Sequence, residues 1–140
     1  MTLKISSELL DGIRSHGRST YPEECCGLLL GEAEGTAKSV RDLRAMRNTR
    51  EDSPKNRYLI DPRELLDAER EARARKLDIV GVYHSHPDHP ARPSEFDREH
   101  AFPWYSYIVV RVAVGEPGEL TSWVLRDDRS AFDAEEIEIL

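Results

Sequence analysis

Residues 78–87 read Asp-Ile-Val-Gly-Val-Tyr-His-Ser-His-Pro. The apolar run from Asp78 to His84, ending at Pro87, predicts a buried strand. Side chains two positions apart on a strand point to the same face of the sheet. His84 and His86 would therefore project together from the end of this strand, where two imidazoles can bind one metal ion.

Asp97 follows His86 after ten intervening residues and could add a carboxylate oxygen from the next element. Two histidines and one aspartate leave the fourth position of a tetrahedral zinc ion open for water, as in catalytic rather than structural sites. A His-x-His pair alone is common by chance, and the segment from Ser94 to Asp97 also fits a helix capping box. Both interpretations can hold, because a metal ligand can lie in the first turn of a helix. His89 falls in a proline-rich stretch that predicts an exposed loop, so we expect it outside the site.

Zinc-bound water can act as the nucleophile of a hydrolase. Such an enzyme also needs a general base, and the sequence has no His-Glu-x-x-His helix to supply one. Glu23 and Glu24 stand directly before the apolar segment that begins at Cys25. Desolvation at the edge of a buried strand raises the pKa of a carboxyl group, which suits it to move protons. The same two acids could equally be solvated in a loop after Pro22, and the residue pattern alone leaves both interpretations open.

The rest of the chain predicts further helices and strands on either side of these residues. The capping and periodicity signals predict helices at Leu3 to about Gly17 (with Ser6 or Ser7 as cap), at Arg63 to Lys76 (after Asp61 and Pro62) and at Ser94 to His100. Strands are expected at Cys25–Gly31, Lys38–Met46, Tyr107–Val114, Leu120–Leu125 and Glu136–Leu140. The first should be covered on both faces, and the last should lie at an edge of the sheet. Residues 115–118 should join the strand Tyr107–Val114 to the strand Leu120–Leu125. This alternation predicts a single α/β domain over residues 1–140, with a mixed central sheet flanked by helices.

Charge and composition exclude several classes of function. The chain has 27 acidic and 20 basic residues and a formal net charge of −7, with no basic stripe. We therefore expect no binding to nucleic acid and none to anionic membranes. No apolar run approaches the roughly 20 residues that span a bilayer, and no signal peptide is recognisable. The adjacent Cys25 and Cys26 cannot form an unstrained bridge and read as small buried residues, so we expect a cytoplasmic location.

The complete pattern resembles the signature of the JAMM (MPN+) zinc metalloproteases. It consists of Glu24 upstream, then His84-Ser85-His86-Pro87, then Ser94 seven positions after Pro87 and Asp97 three positions after Ser94. The segments around residues 21–31, 58–61 and 79–81 are also similar to that family. The resemblance extends from about Leu3 to Leu125.

This resemblance implies a compact α/β fold similar to that of cytidine deaminases. It also implies Zn²⁺ held by His84, His86 and Asp97, with Glu24 as general base and acid and Ser94 stabilising the oxyanion. The expected reaction is hydrolysis of a peptide or isopeptide bond after the C-terminal glycine of a ubiquitin-like protein. The short chain favours prokaryotic members that act on ubiquitin-like sulfur carrier proteins, releasing cysteine in cysteine biosynthesis or trimming the carrier tail.

Three alternatives differ from this hypothesis in identifiable residues. A metal-stabilised module that binds a partner without cleaving it would not need Glu24, which this chain has. A related DNA-repair family typically carries Asn between the histidines, where Ser85 stands here. A zinc nucleobase deaminase would require a Pro-Cys-x-x-Cys ligand pair, whereas the only cysteines are Cys25 and Cys26.

Overall fold

The computed structural model describes residues 1–55 and 57–140. Over these residues, seven strands form one closed mixed sheet, and α-helices pack against it. The strands are β1 (Thr2–Ile5), β2 (Cys26–Glu34), β3 (Ala37–Met46), β4 (Asp78–Pro87), β5 (Ser106–Ala113), β6 (Glu116–Leu125) and β7 (Phe132–Ile139), and the helices are α1 (Ser7–Thr20), α2 (Pro62–Ala74) and α3 (Glu95–His100). The predicted α/β domain with a mixed sheet is confirmed.

The sheet closes through its first strand. The strand order is β1-β3-β2-β4-β5-β6-β7, and β1 pairs in parallel with both β3 and β7. The remaining pairs are antiparallel except β4 with β5. The predicted start of the last strand at Glu136 is wrong, because β7 begins at Phe132. Residues 132–135 of β7 pair with β6, and residues 136–139 pair with β1, which closes the sheet.

The predicted start of the first helix is also wrong. Residues 2–5 alternate between half-buried and buried side chains, and Leu3 and Ile5 enter the core as part of β1. This period of two is that of a strand with one buried face. The helix begins only at Ser7, where the Ser6 hydroxyl accepts a hydrogen bond from the backbone N–H of Leu9 at 3.2 Å.

Two helices cover opposite faces of the sheet. In β2, Leu29 lies in the cluster that contains Ile13 of α1, whereas Leu28 lies with Ala68 and Ala72 of α2. Successive residues of β2 thus enter two different cores, which confirms that this strand is covered on both faces. Both α2 and its predicted cap at Asp61 are confirmed.

The position of β4 in this sheet fixes the location of the candidate site. β4 pairs antiparallel with β2 and parallel with β5, and Cys26 lies opposite His84. This register brings the residues just before β2 beside the histidines. Gly81 permits the close approach of β5, because a Cβ atom there would lie 2.1 Å from the Ser106 carbonyl oxygen.

The hairpin between β5 and β6 is tighter than expected. β6 begins at Glu116, so a connection over residues 115–118 is wrong. Val114 and Gly115 alone make the turn, with φ of 50° and 80°, as in the two-residue turns that match strand twist. Separately, none of the helices in the described parts of the chain is long and apolar enough to cross a membrane.

Candidate metal centre

The two histidines at the end of β4 lie side by side, as their spacing predicts. Both are buried, and their Nε2 atoms are 3.1 Å apart. The Asp97 Oδ2 atom lies 3.2 Å from each of these nitrogens. The structure therefore brings His84, His86 and Asp97 together, with one atom of each facing the same point.

A capping box at the start of α3 positions Asp97. The Ser94 hydroxyl accepts the backbone N–H of Asp97 at 3.0 Å, and the Asp97 Oδ2 atom accepts the backbone N–H of Ser94 at 2.8 Å. The capping interpretation of this segment is thus correct and coexists with the cluster. The Ser94 hydroxyl acts as an acceptor here and donates to no group among the described residues, so its proton is available to a group that enters the site.

Of the two candidate bases, only Glu24 reaches this cluster. Glu24 is 2% exposed, and one of its carboxylate oxygens lies within 4.8 Å of ring nitrogens of His84 and His86. Glu23 is exposed. The Glu24 Oε1 atom is buried and has no hydrogen-bond partner among the described residues, so its lone pairs are available to a group entering the site.

The surroundings move the pKa values of the two carboxyl groups in opposite directions. Burial and, to a smaller extent, the nearby Asp97 charge together raise the pKa of Glu24 to about 9. Burial alone would raise the pKa of Asp97 too, but His84, His86 and the Ser94 N–H outweigh it and hold that pKa well below its ordinary value of 3.8. Burial lowers the pKa of His84. The cluster thus combines an ionised aspartate with neutral imidazole and a carboxyl that readily holds a proton.

Contacts behind the two rings fix their orientation. The His86 Nδ1 atom lies 2.9 Å from the Pro90 carbonyl oxygen, which can only accept. His86 therefore carries its proton on Nδ1 when neutral and presents a lone pair on Nε2, as metal-binding histidines do. The ring of His84 stacks on Tyr58, with centroids 4.7 Å apart and planes at 27°.

These atoms form the kind of donor set that binds a divalent metal ion. A proton on one ring nitrogen could join only some of these three atoms, whereas a divalent cation can take all of them as ligands. His84, His86 and Asp97 could hold such an ion, with the unpartnered oxygen of Glu24 beside it. His89 is exposed and its ring lies 6.4 Å from that of His86, so it stays outside the cluster as expected.

A cavity of about 580 Å³ adjoins Asp97. Its walls come from α2, α3, neighbouring strands and the segment before α2, and most of them are apolar or aromatic. The lining residues are Leu28, Arg50, Tyr58, Leu59, Ile60, Leu65, Glu69, Ile79, Val82, Phe96, Asp97, His100, Phe102, Tyr105 and Tyr107. A mainly apolar cleft with a few polar groups is typical of a ligand site.

Sequence reasoning missed three side chains that support the cluster. Ser85 points away from the histidines, and its hydroxyl accepts the Cys25 backbone N–H at 2.8 Å, which fixes the chain next to Glu24. The alternation of the strand could have indicated this orientation. Tyr58 and Asn48 act through contacts with distant segments, for which the local sequence gives no signal.

Comparisons with known proteins agree with this geometry. The model of the family "Prokaryotic homologs of the JAB domain" matches residues 6–126. The desampylase of Haloferax volcanii is 33% identical over 112 residues, covering 76% of this chain and 78% of that protein. The CysO-cysteine peptidase of Mycobacterium tuberculosis is 32% identical over 126 residues, covering 89% and 84%. The solution structure of a protein from Desulfitobacterium hafniense has a TM-score of 0.86 at 31% identity, covering 99% and 92%.

Proposed function

The chain belongs to the family of prokaryotic JAB-domain homologues and is a JAMM-type metalloprotease, and from this premise we propose its metal and substrate. It is a zinc enzyme that hydrolyses the peptide or isopeptide bond after the C-terminal glycine of a ubiquitin-like sulfur carrier protein. The sequence similarity to a desampylase and to a CysO-cysteine peptidase supports a ubiquitin-like carrier protein as the substrate.

The observation that carries this proposal is the triangle formed by the His84 Nε2, His86 Nε2 and Asp97 Oδ2 atoms, with sides of 3.1, 3.2 and 3.2 Å. Ligand atoms on a tetrahedral zinc ion with bonds of about 2.0–2.1 Å lie about 3.3 Å apart. The donor set therefore fits zinc in both chemistry and spacing. When bound, zinc supplies a Lewis acid that polarises the scissile carbonyl and lowers the pKa of water to about 7.

Glu24 moves the protons in this scheme. Amide hydrolysis requires that a proton leave the attacking water and that the leaving nitrogen gain one. The buried Glu24 Oε1 atom, which has no hydrogen-bond partner in the described residues, takes the first proton and delivers it to the nitrogen. With a pKa of about 9 this carboxyl holds a proton at neutral pH in the metal-free protein, and a bound divalent cation would lower that pKa toward the range in which the group can both take and return a proton.

Ser94 stabilises the oxyanion formed when water adds to the carbonyl carbon. Its hydroxyl oxygen already accepts the Asp97 N–H, which fixes the side chain at the edge of the cluster. Its proton is then directed to the oxyanion, where a preorganised donor is most effective.

The cavity beside Asp97 receives the carrier tail. It begins at the cluster and is lined by Tyr58, Phe96 and other aromatic side chains, which can pack against an extended and mostly apolar segment. A tail that ends in glycine brings no side chain to the scissile bond, so its backbone can approach the cluster closely.

The test is cleavage of two substrates: a ubiquitin-like carrier with a short peptide fused after its terminal glycine, and the same carrier joined to a lysine side chain. We expect cleavage of at least one at the glycine, loss of cleavage with a chelator, and recovery on adding zinc. Chelator-insensitive cleavage would disprove the zinc mechanism. The remaining alternative, a non-catalytic metal-stabilised module, predicts that both carriers bind and stay intact.

A further inference from the structure

We propose that Asn48 is a positioning residue that holds Glu24 and the wall of the cavity in one arrangement. Asn48 follows β3 and begins the segment that leads to α2, called here the wall segment (residues 48–55 and 57–60). The inference rests on the proposed function, because it assigns to Asn48 the joint placement of the proton carrier and of the substrate tail.

The carboxamide of Asn48 uses its full hydrogen-bonding capacity. Its Nδ2 atom donates to the carbonyl oxygens of Glu24 at 3.2 Å and Arg57 at 3.0 Å. Its Oδ1 atom accepts the backbone N–H groups of Arg50 at 3.0 Å and Leu59 at 3.1 Å. An amide side chain has two donor hydrogens and two acceptor lone pairs, so this one side chain links Glu24, two residues before β2, to Arg50, Arg57 and Leu59 of the wall segment.

The wall segment holds the backbone of Glu24 from both sides. The carbonyl oxygen of Glu24 accepts from Asn48, and its N–H donates to the Pro54 carbonyl oxygen at 2.8 Å. The direction of the Glu24 side chain therefore depends on the conformation of residues that lie about 24 to 30 positions later in the chain.

The same segment forms part of the cavity and contacts a histidine of the cluster. Tyr58, Leu59 and Ile60 line the cavity, and Tyr58 stacks on His84. If the wall segment shifts, the tail and Glu24 are displaced together. A misplacement of about 1 Å can cost on the order of 10² in rate, so the effect on kcat should be large although Asn48 touches no reacting atom.

Asn48→Ala and Asn48→Asp test this role, with Thr49→Val as the matched control. Asp keeps the acceptor oxygen for Arg50 and Leu59 but cannot donate to Glu24. The Thr49 hydroxyl donates to the Leu59 carbonyl oxygen at 3.0 Å, but the Thr49 backbone N–H donates to the same oxygen at 2.9 Å, so Thr49→Val removes a polar side chain of this segment without releasing the segment or touching Glu24. On the carrier–peptide substrate we expect both Asn48 variants to lower kcat at least tenfold with one zinc still bound per chain, and Thr49→Val to keep kcat within twofold.

A readout independent of activity is hydrogen exchange of the Glu24 backbone amide in the zinc-loaded protein. We expect at least tenfold faster exchange in both Asn48 variants and no change in Thr49→Val. Unchanged exchange or unchanged kcat in Asn48→Asp would overturn the proposal, as would an equal fall in kcat for Thr49→Val. If wild type cleaves neither carrier, the proposed function fails, whereas the exchange experiment still decides whether Asn48 holds Glu24.

Discussion

Two clusters of buried polar side chains lie in the same closed sheet and differ in how they are satisfied. The first is the candidate metal centre. The second, called here the Lys38 cluster, contains Lys38, Ser106, Ser122 and Glu135, all buried. In the Lys38 cluster a cation and a carboxylate supply opposite charges, Lys38 donates to the Trp104 carbonyl oxygen and to Ser106, and Ser122 donates to Glu135 at 2.8 Å.

Within the part of the chain that the structure describes, both clusters contain a carboxylate oxygen without a hydrogen-bond partner, Glu24 Oε1 and Glu135 Oε2. Such an atom therefore does not by itself identify a functional site. The difference is in the donor set: protein hydrogen bonds join donors to acceptors around Lys38, whereas the metal centre points nitrogen lone pairs and a carboxylate oxygen at one another. A single proton cannot satisfy all three atoms of that second arrangement, whereas a divalent cation can.

The strongest test of this difference is Asp97→Ala. The change leaves two imidazoles to bind the metal, and we expect zinc affinity to fall more than about 100-fold, beyond what loss of an outer-sphere partner costs. Competition with a chromophoric chelator measures it, and Glu95→Ala in the same helical turn is the control. Tight binding of one zinc per chain by Asp97→Ala would leave Asp97 as a helix cap alone.

Glu24→Gln separates metal binding from catalysis within the metal centre. The amide keeps the shape of the side chain but cannot carry the proton, so we expect kcat to fall by about 10²–10⁴-fold with zinc still bound. Glu23→Gln changes the same charge one residue earlier and should leave kcat unaltered. If the two variants exchanged these results, the assignment of the base to Glu24 would be wrong.

Ser94→Ala tests whether this hydroxyl does more than cap α3. Loss of an oxyanion donor should lower kcat by about 10²–10³-fold, whereas loss of the cap should cost only about 1 kcal/mol of stability. Steady-state kinetics and thermal unfolding distinguish the two effects. Ser94→Thr retains the hydroxyl and should keep most of the activity; a small change in kcat for Ser94→Ala would assign Ser94 to the cap alone.

Lys38→Met makes the converse test in the second cluster. It leaves the Trp104 carbonyl oxygen and the Ser106 hydroxyl oxygen without their donor, so we expect a loss of about 1–3 kcal/mol in the free energy of unfolding. Denaturant titration measures this loss. Zinc affinity and kcat should stay unchanged. A fall in either, measured under conditions in which the variant is fully folded, would show that the two clusters are not independent.

The pH dependence of stability gives an effect that is small over one pH unit and accumulates over several. In chelator-treated protein the pKa of folded Glu24 is raised to about 9 from its ordinary 4.5. The stability gained from keeping this carboxyl protonated is fully present below pH 4.5 and is lost as the pH rises toward 9. Relative to Glu24→Gln, wild type should lose up to about 1.4 kcal/mol per pH unit in this window. Parallel stability curves for the two proteins would contradict the raised pKa.

The sequence predicted those parts of the site that local patterns determine. The end of β4, the alternation of its histidines and the cap at Ser94 all follow from strand and helix periodicity, and the structure agrees. The choice between Glu23 and Glu24 could not be made locally. It depends on the register that places Cys26 opposite His84, which is a contact between segments far apart in the chain.

The errors in the predicted fold have a similar origin. Leu3 begins a segment whose apolar residues also fit a helix, and only its pairing with β3 and β7 makes it a strand. The closure of the sheet, the tight turn at Val114 and the contacts of Asn48 likewise depend on partners that local periodicity does not reveal.

The shared use of the Asp97 Oδ2 atom has a thermodynamic consequence. This atom accepts the N–H of Ser94 at the start of α3 and also faces the two histidines. Metal binding and formation of α3 therefore stabilise each other. The free energy by which the bound ion would stabilise ordered α3 equals the free energy by which ordered α3 would strengthen binding of the ion. Substitutions that strengthen α3 far from the histidines should then tighten zinc binding.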